Sequence, residues 1–241
     1  MLWSIEDLKG KKVGEIVSSD IRTADVFKDF GIDYCCRGER LLGEVCKVKG
    51  IELKSIMRSL EEAMRDTKGP VHDYQNWSVS FLIDFINNTH HPYVRSSLPI
   101  LLQYGEKVFN AHGSAHEETF EVLQILQYFE DELLKHLKLE EEVDFIILKK
   151  LIQDNSSSSK ALVTQSKKIL QNLQDDHVAV GDKMLRLERI TNNFIPPADA
   201  CNTFKVFYKK LSEFRDDLFN HIHLENNILF QKISNYIQSN Y

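Results

Sequence analysis

An all-α fold is predicted by three features of the chain. Only ten glycines and five prolines punctuate its 241 residues, no Val/Ile/Thr alternation runs far, and four long segments place apolar residues at alternating steps of three and four. The first spans about 77–109. The second starts at Ser114, where Ser114 and Glu117 have the spacing of a capping box, and runs to about 152. The serine run at 155–160 reads as a flexible loop. The third covers about 161–192 and is broken by FIPPAD, after which Asp199 caps a fourth helix reaching about 237. Four long helices with short connections predict an antiparallel up-down bundle over residues 77–241.

Residues 1–66 predict a small helical domain of shorter pieces. These cover 13–17, then 20–30 with Asp20 as N-cap and Gly31 as the stop, then 40–48 and 51–65. The polar stretch 67–76, which holds His72, reads as the linker to the bundle. GIDYCCRGER, residues 31–40, is then an inter-helix turn that carries Cys35 and Cys36.

Composition narrows the function. A chain 42% hydrophobic and 27% charged suits a soluble globular protein, with room for one large domain or a large and a small one. A net charge of −6 and the lack of any long lysine or arginine run argue against nucleic acid. The N-terminus MLWSIEDLKGKK does not read as a leader and no window is apolar for long enough to span a bilayer, so a cytoplasmic protein without a membrane partner is expected. The four cysteines then read as reduced thiols. A bond between the neighbours Cys35 and Cys36 would be strained, because a disulfide needs a wider Cα separation than one peptide unit gives.

Histidines break the apolar stripes in a repeating way. The stripe of the second helix reads Val122, Leu126, Phe129, Leu133, His136, Glu140, Val143, Ile147. That of the fourth reads Phe204, Phe207, Leu211, Phe214, Leu218, His221, Glu225, Ile228. His177 lies alone on the stripe Leu170, Leu173, His177, Val180, Met184, Leu187 of the third. Residues four apart share a helix face, and burying such groups without partners is costly. His91 precedes His136 by 45 positions and His177 precedes His221 by 44, so each half of the bundle supplies His, His and Glu. His91 is favoured over the adjacent His90 because the repeat spacing is closest with it.

Four imidazoles and two carboxylates converging inside a bundle suit a dinuclear transition-metal site, with iron favoured over manganese or zinc. Two six-coordinate ions offer about twelve positions, of which the histidines fill four and two bridging glutamates four more. A bridging oxo or hydroxo group takes two, leaving about one open position per ion for O2, NO or peroxide. The other groups read more plainly: His223 as surface, His112 and His116 as loop or capping residues, Glu141 and Glu142 as a solvated face.

The DYCC turn, the paired H-x-x-x-E motifs, and the segments NNFIPPADACNTFKVFY and HIHLENNILF together resemble the iron–sulfur cluster repair di-iron proteins, the family called repair of iron centres. The resemblance covers nearly the whole chain. It implies a hemerythrin-like four-helix bundle and a non-haem di-iron centre held by His91, His136, Glu140, His177, His221 and Glu225. It also implies repair of clusters damaged by nitric oxide or oxidants, by iron donation, by reduction of NO to N2O at the centre, or by both.

Damaged iron–sulfur proteins would be the partners. No Gly-rich dinucleotide fingerprint follows a strand, so reduction would draw on an external electron donor, and the N-terminal domain could serve that contact or a homodimer. Two other readings compete: an O2- or NO-binding sensor without turnover, and a structural zinc protein, disfavoured because structural zinc sites are closed and tetrahedral. Cys35 and Cys36 read either as packing or as accessory thiols whose position near a helix N-terminus favours the thiolate, transiently holding iron, NO or a partner's cluster.

Overall fold

Helix starts need acceptors for backbone N–H groups that have no partner within the helix, and two serines supply them here. In the computed structural model, which describes residues 5–65, 73–153 and 159–241, Ser78 Oγ accepts from Phe81 N at 3.2 Å and Ser159 Oγ from Leu162 N at 3.2 Å. These serines begin α6 (Val79–His112) and α10 (Lys160–Ile190). His72, most of the expected linker and most of the serine loop lie outside the described residues.

The remaining helices are α1 (Ile5–Lys9), α2 (Val13–Ser19), α3 (Thr23–Asp29), α4 (Leu42–Lys49), α5 (Leu53–Arg65), α7 (Glu118–Tyr128), α8 (Leu134–Leu139), α9 (Phe145–Gln153), α11 (Asn202–Leu224) and α12 (Phe230–Asn240). Single π-helical turns join α7 to α8 (Phe129–Leu133), α8 to α9 (Glu140–Asp144) and α11 to α12 (Glu225–Leu229). Among the described residues there is no strand, only one antiparallel bridge between Lys12 and Leu41. The fold is the predicted all-α one, a hemerythrin-like helical bundle with a helical N-terminal region.

Helix ends shift where a side chain finds a better partner. α7 begins at Glu118, with no side-chain cap from Glu117, because α6 runs on to His112 and its last turn continues through His116 N to His112 O at 2.9 Å. Ser114 therefore lies in the turn and no capping box opens α7. Asp199 faces His116 Nε2 at 3.1 Å, and α11 starts later, at Asn202. Asp20 binds Arg22 Nε at 2.9 Å, and α3 starts at Thr23.

Two compact units emerge: residues 1–82 with 222–239 and 241, and residues 83–221 with 240. In the second, α10 packs against α7 and α9, and Leu126, Phe129, Leu173, Met184, Phe207 and Phe214 are buried. The second helix obeys its predicted stripe as far as Glu140. Beyond it Val143 is 42% exposed, while Asp144, Phe145 and Leu148 turn inward. The π turn Glu140–Asp144 adds a residue to the helix and advances the buried face by one.

In the first unit α1 packs on α4 and α5, α3 on α5, and α2 on α3 and on the π turn Glu225–Leu229. The DYCC turn is clamped to that π turn. Asn226 Nδ2 donates to Cys35 O at 3.2 Å, and Asn227 Nδ2 to Tyr34 O at 3.2 Å and Cys35 O at 3.1 Å. The approach requires glycine at position 38, where a Cβ would stand 2.5 Å from Tyr34 O and 2.7 Å from Asn227 Oδ1. Gly38→Ala is accordingly expected to cost about 1–3 kcal/mol of stability, read by chemical denaturation.

Candidate metal centre

The second unit gathers its buried imidazoles around one carboxylate. His91 on α6, His136 on α8, His177 on α10 and His221 on α11 are all buried, and Glu140 is wholly inaccessible. Glu140 Oε2 lies 3.5 Å from His91 Nε2. Its Oε1 lies 3.3 Å from His136 Nε2 and 3.9 Å from His177 Nε2. The two oxygens thus face different histidines. His91, Glu140 and His221 offer ligand atoms within 4.8 Å of one another, and so do His136, Glu140 and His177. Glu225 is also fully buried and follows His221 by one helical turn, at the start of its own π turn.

Two of the imidazoles, His91 and His136, are oriented by carboxylates on their far sides. His91 Nδ1 is 2.7 Å from Glu141 Oε1, which Arg95 Nη1 also reaches at 2.7 Å. Burial pushes the Glu141 carboxyl up, but the Arg95 and His91 hydrogen bonds outweigh it and hold it below the usual value. His136 Nδ1 is 3.3 Å from Asp176 Oδ2, and that hydrogen bond lowers Asp176 against the opposing effect of burial. A ring nitrogen that donates outward leaves the other lone pair facing inward, as metal-ligating histidines do. His136 Nε2 and His177 Nε2 face each other at 3.2 Å, a contact in which only one of the two can donate.

The donor set fits a cation. Among the described residues neither oxygen of Glu140 accepts a hydrogen bond, and an ionised carboxylate buried in this way is unfavourable without a positive charge beside it. Inward imidazole nitrogens next to it are ligands for a first-row transition metal.

A family model described as the hemerythrin HHE cation-binding domain matches residues 83–233, and one described as ScdA_N, a domain of unknown function (DUF542), matches residues 9–64. The iron–sulfur cluster repair protein ScdA of Staphylococcus haemolyticus is 31% identical over 227 residues, covering 92% of this chain and 97% of that protein. The chain belongs to the hemerythrin-domain family of iron–sulfur cluster repair proteins. A probable iron–sulfur cluster repair protein of Haemophilus influenzae is 32% identical over 227 residues, covering 93% and 97%. The cluster repair protein YtfE of an Enterobacter species is 28% identical over 225 residues, covering 93% and 96%. A hemerythrin-type domain implies non-haem iron binding, and the His/Glu cluster could hold a metal ion.

Other histidines depart from their sequence readings. His90, adjacent to His91, points to Asp217 Oδ1 at 2.9 Å and stacks on His221 with ring centroids 5.6 Å apart. His223 is buried rather than on the surface, because within the first unit Ser18 Oγ lies 3.4 Å from its Nε2 and Tyr34 packs edge-on against it. Burial pulls His223 down to about 4. His112 Nε2 sits 3.2 Å from the exposed Cys201 Sγ; hydrogen bonds from Phe204 N–H and then His112 bring that thiol down to about 7. Glu141 is not merely a solvated residue, since it holds His91, whereas Glu142 stays exposed and pairs loosely with Lys138.

The orienting carboxylates escaped sequence reading, although a signal was available. Glu141 follows Glu140, Asp176 precedes His177, and Asp217 stands four before His221. Glu141 and Asp176 lie on the strip beside a ligand candidate and Asp217 one turn before one, and each reaches a histidine of another helix. Cys35 and Cys36 lie in the turn before α4, which begins only at Leu42, so neither stands at a helix N-terminus. Burial, then the hydrogen bond with Cys36, pushes the Cys35 thiol well up, opposite to the expected thiolate character.

Proposed function

We propose that this chain repairs iron–sulfur clusters damaged by nitrosative or oxidative stress, and that it does so with a dinuclear non-haem iron centre held by His91, His136, Glu140, His177, His221 and Glu225. The observation that carries the dinuclear reading is the split of Glu140, whose Oε2 faces His91 while its Oε1 faces His136 and His177. A carboxylate so placed could offer one oxygen to each of two ions. Glu225, buried at the equivalent point of the other H-x-x-x-E motif, is the proposed second bridge. The repair role rests on relatives named as iron–sulfur cluster repair proteins that align over most of the chain.

When bound, the iron pair supplies redox and ligand-exchange chemistry toward small oxidants, together with an oxo or hydroxo bridge. The chain's own residues do the rest. Glu141 and Asp176 accept from the Nδ1 atoms of His91 and His136 and keep their Nε2 lone pairs inward. Beside His136 and Asp176 lies a cleft of about 220 Å³, lined also by Tyr128, Lys135, Leu139 and Val180, wide enough to admit NO or O2. Damaged iron–sulfur proteins are the proposed partners, and an external donor supplies electrons where NO is reduced. Among the described residues no helix is long and apolar enough to cross a membrane. Residues 1–66 are proposed as a small helical domain for the donor contact or for a homodimer, joined by 67–76 to the bundle at 77–241.

The test is iron analysis with an absorption spectrum, followed by repair of an NO-damaged [4Fe–4S] enzyme. Two irons per chain, an oxo-bridged diferric band and recovery of the client's activity are expected. An iron-free protein, or a spectrum that NO leaves unchanged, would overturn the proposal. Glu141→Gln should weaken iron binding about tenfold, measured by competition with a chelator, because its amide no longer offers His91 a carboxylate.

A further inference from the structure

The two sulfurs of the DYCC turn stand 3.6 Å apart. That is far beyond the disulfide length of about 2.05 Å. It is close to the edge of a coordination tetrahedron: thiolates about 2.3 Å from a zinc ion at the tetrahedral angle are about 3.8 Å from each other. A third donor completes a face. Asp33 Oδ1 lies 3.5 Å from Cys35 Sγ, and one ligand atom from each of Asp33, Cys35 and Cys36 falls within 4.8 Å of the other two.

The arrangement is held from outside as well as within. Asp33 Oδ1 accepts from Cys35 N at 3.1 Å and Cys36 N at 2.9 Å, and Oδ2 lies 3.5 Å from Arg37 Nη1, so the backbone ties the carboxylate to the sulfurs. Asn226 and Asn227 bind the carbonyls of the same turn. A clamped turn loses little conformational entropy when its side chains close on a ligand.

We propose that Asp33, Cys35 and Cys36 form a second metal site, separate from the histidine and glutamate cluster, for one thiophilic divalent ion such as Zn2+ or Fe2+, with a fourth position left for an exogenous ligand. Two sulfur donors and one oxygen donor select soft and borderline ions over calcium or magnesium. Binding replaces two S–H bonds by two metal–sulfur bonds and releases two protons, with no change of oxidation state.

Cadmium is a suitable probe of the full-length chain, with the histidine cluster first loaded with iron and Cys201→Ser removing the exposed thiol. One cadmium per chain with sulfur-to-metal charge-transfer absorption is expected. The absorption should vanish in Cys35→Ala/Cys36→Ala, and the affinity should fall about tenfold in Asp33→Asn. No such absorption at saturating cadmium, or an undiminished signal in the double variant, would overturn the site. Should the double variant fold poorly, X-ray absorption of the zinc-loaded Cys201→Ser protein decides. Two sulfurs at about 2.3 Å support the site, and a shell of nitrogen and oxygen alone refutes it.

Discussion

Glu140→Leu is expected to empty the metal centre while making the metal-free protein more stable. Both effects follow from the same geometry. Each Glu140 oxygen faces a different imidazole and neither accepts a hydrogen bond among the described residues. If the carboxylate bridges two ions, its loss takes a ligand from both, and purified Glu140→Leu should retain no more than about a tenth of the wild-type iron. In the stripped protein that carboxylate is a buried polar group whose oxygens accept no hydrogen bond among the described residues. An apolar side chain of similar size should then raise stability by up to about 1–4 kcal/mol, read as a shift of the urea midpoint after chelation. Glu225→Leu should likewise lose most of its iron, since it is the proposed second bridge. A fall in stability combined with normal iron content would make Glu140 a structural residue and end the dinuclear reading.

The fold was legible because its cause is local. Spacing of apolar residues on each helix is enough to find the bundle, and the same count locates His136, Glu140, His177, His221 and Glu225 on buried faces. The limits of that method are visible in three residues. His223 sits two positions from His221, so a helical wheel turns it outward; Ser18 and Tyr34, about two hundred positions earlier in the chain, cover it. Glu141 looks solvated on the wheel until Arg95 and His91 of another helix are placed beside it. Cys35 reads as a reactive thiol from its proximity to α4, whereas the clamp by Asn226 and Asn227 accompanies a turn that is buried. In each case the deciding partner is remote in the chain, and periodicity carries no information about it.

The register beyond Glu140 offers the sharpest contrast between wheel and structure, and it can be measured. A regular helix through this segment would bury Val143 and Ile147, as the stripe predicts. The π turn Glu140–Asp144 instead leaves Val143 42% exposed and buries Leu148 completely. Leu148→Ala should therefore cost about 2–5 kcal/mol through the cavity it opens. Val143→Ala should cost well under about 1 kcal/mol, as surface changes do. Both are compared by denaturation of the chelated proteins, so that bound metal contributes nothing to the difference. Similar losses in the two variants, or a larger one at Val143, would mean that the helix continues without the extra residue. The π turn would be retained against its poorer hydrogen-bond geometry because of where it falls: it begins at Glu140, as the corresponding turn begins at Glu225, and such turns gather at functional sites. Here it lets the residue after each proposed bridge change face. Glu141 can turn back toward His91, and Asn226 toward Cys35, while the carboxylate before each stays inside.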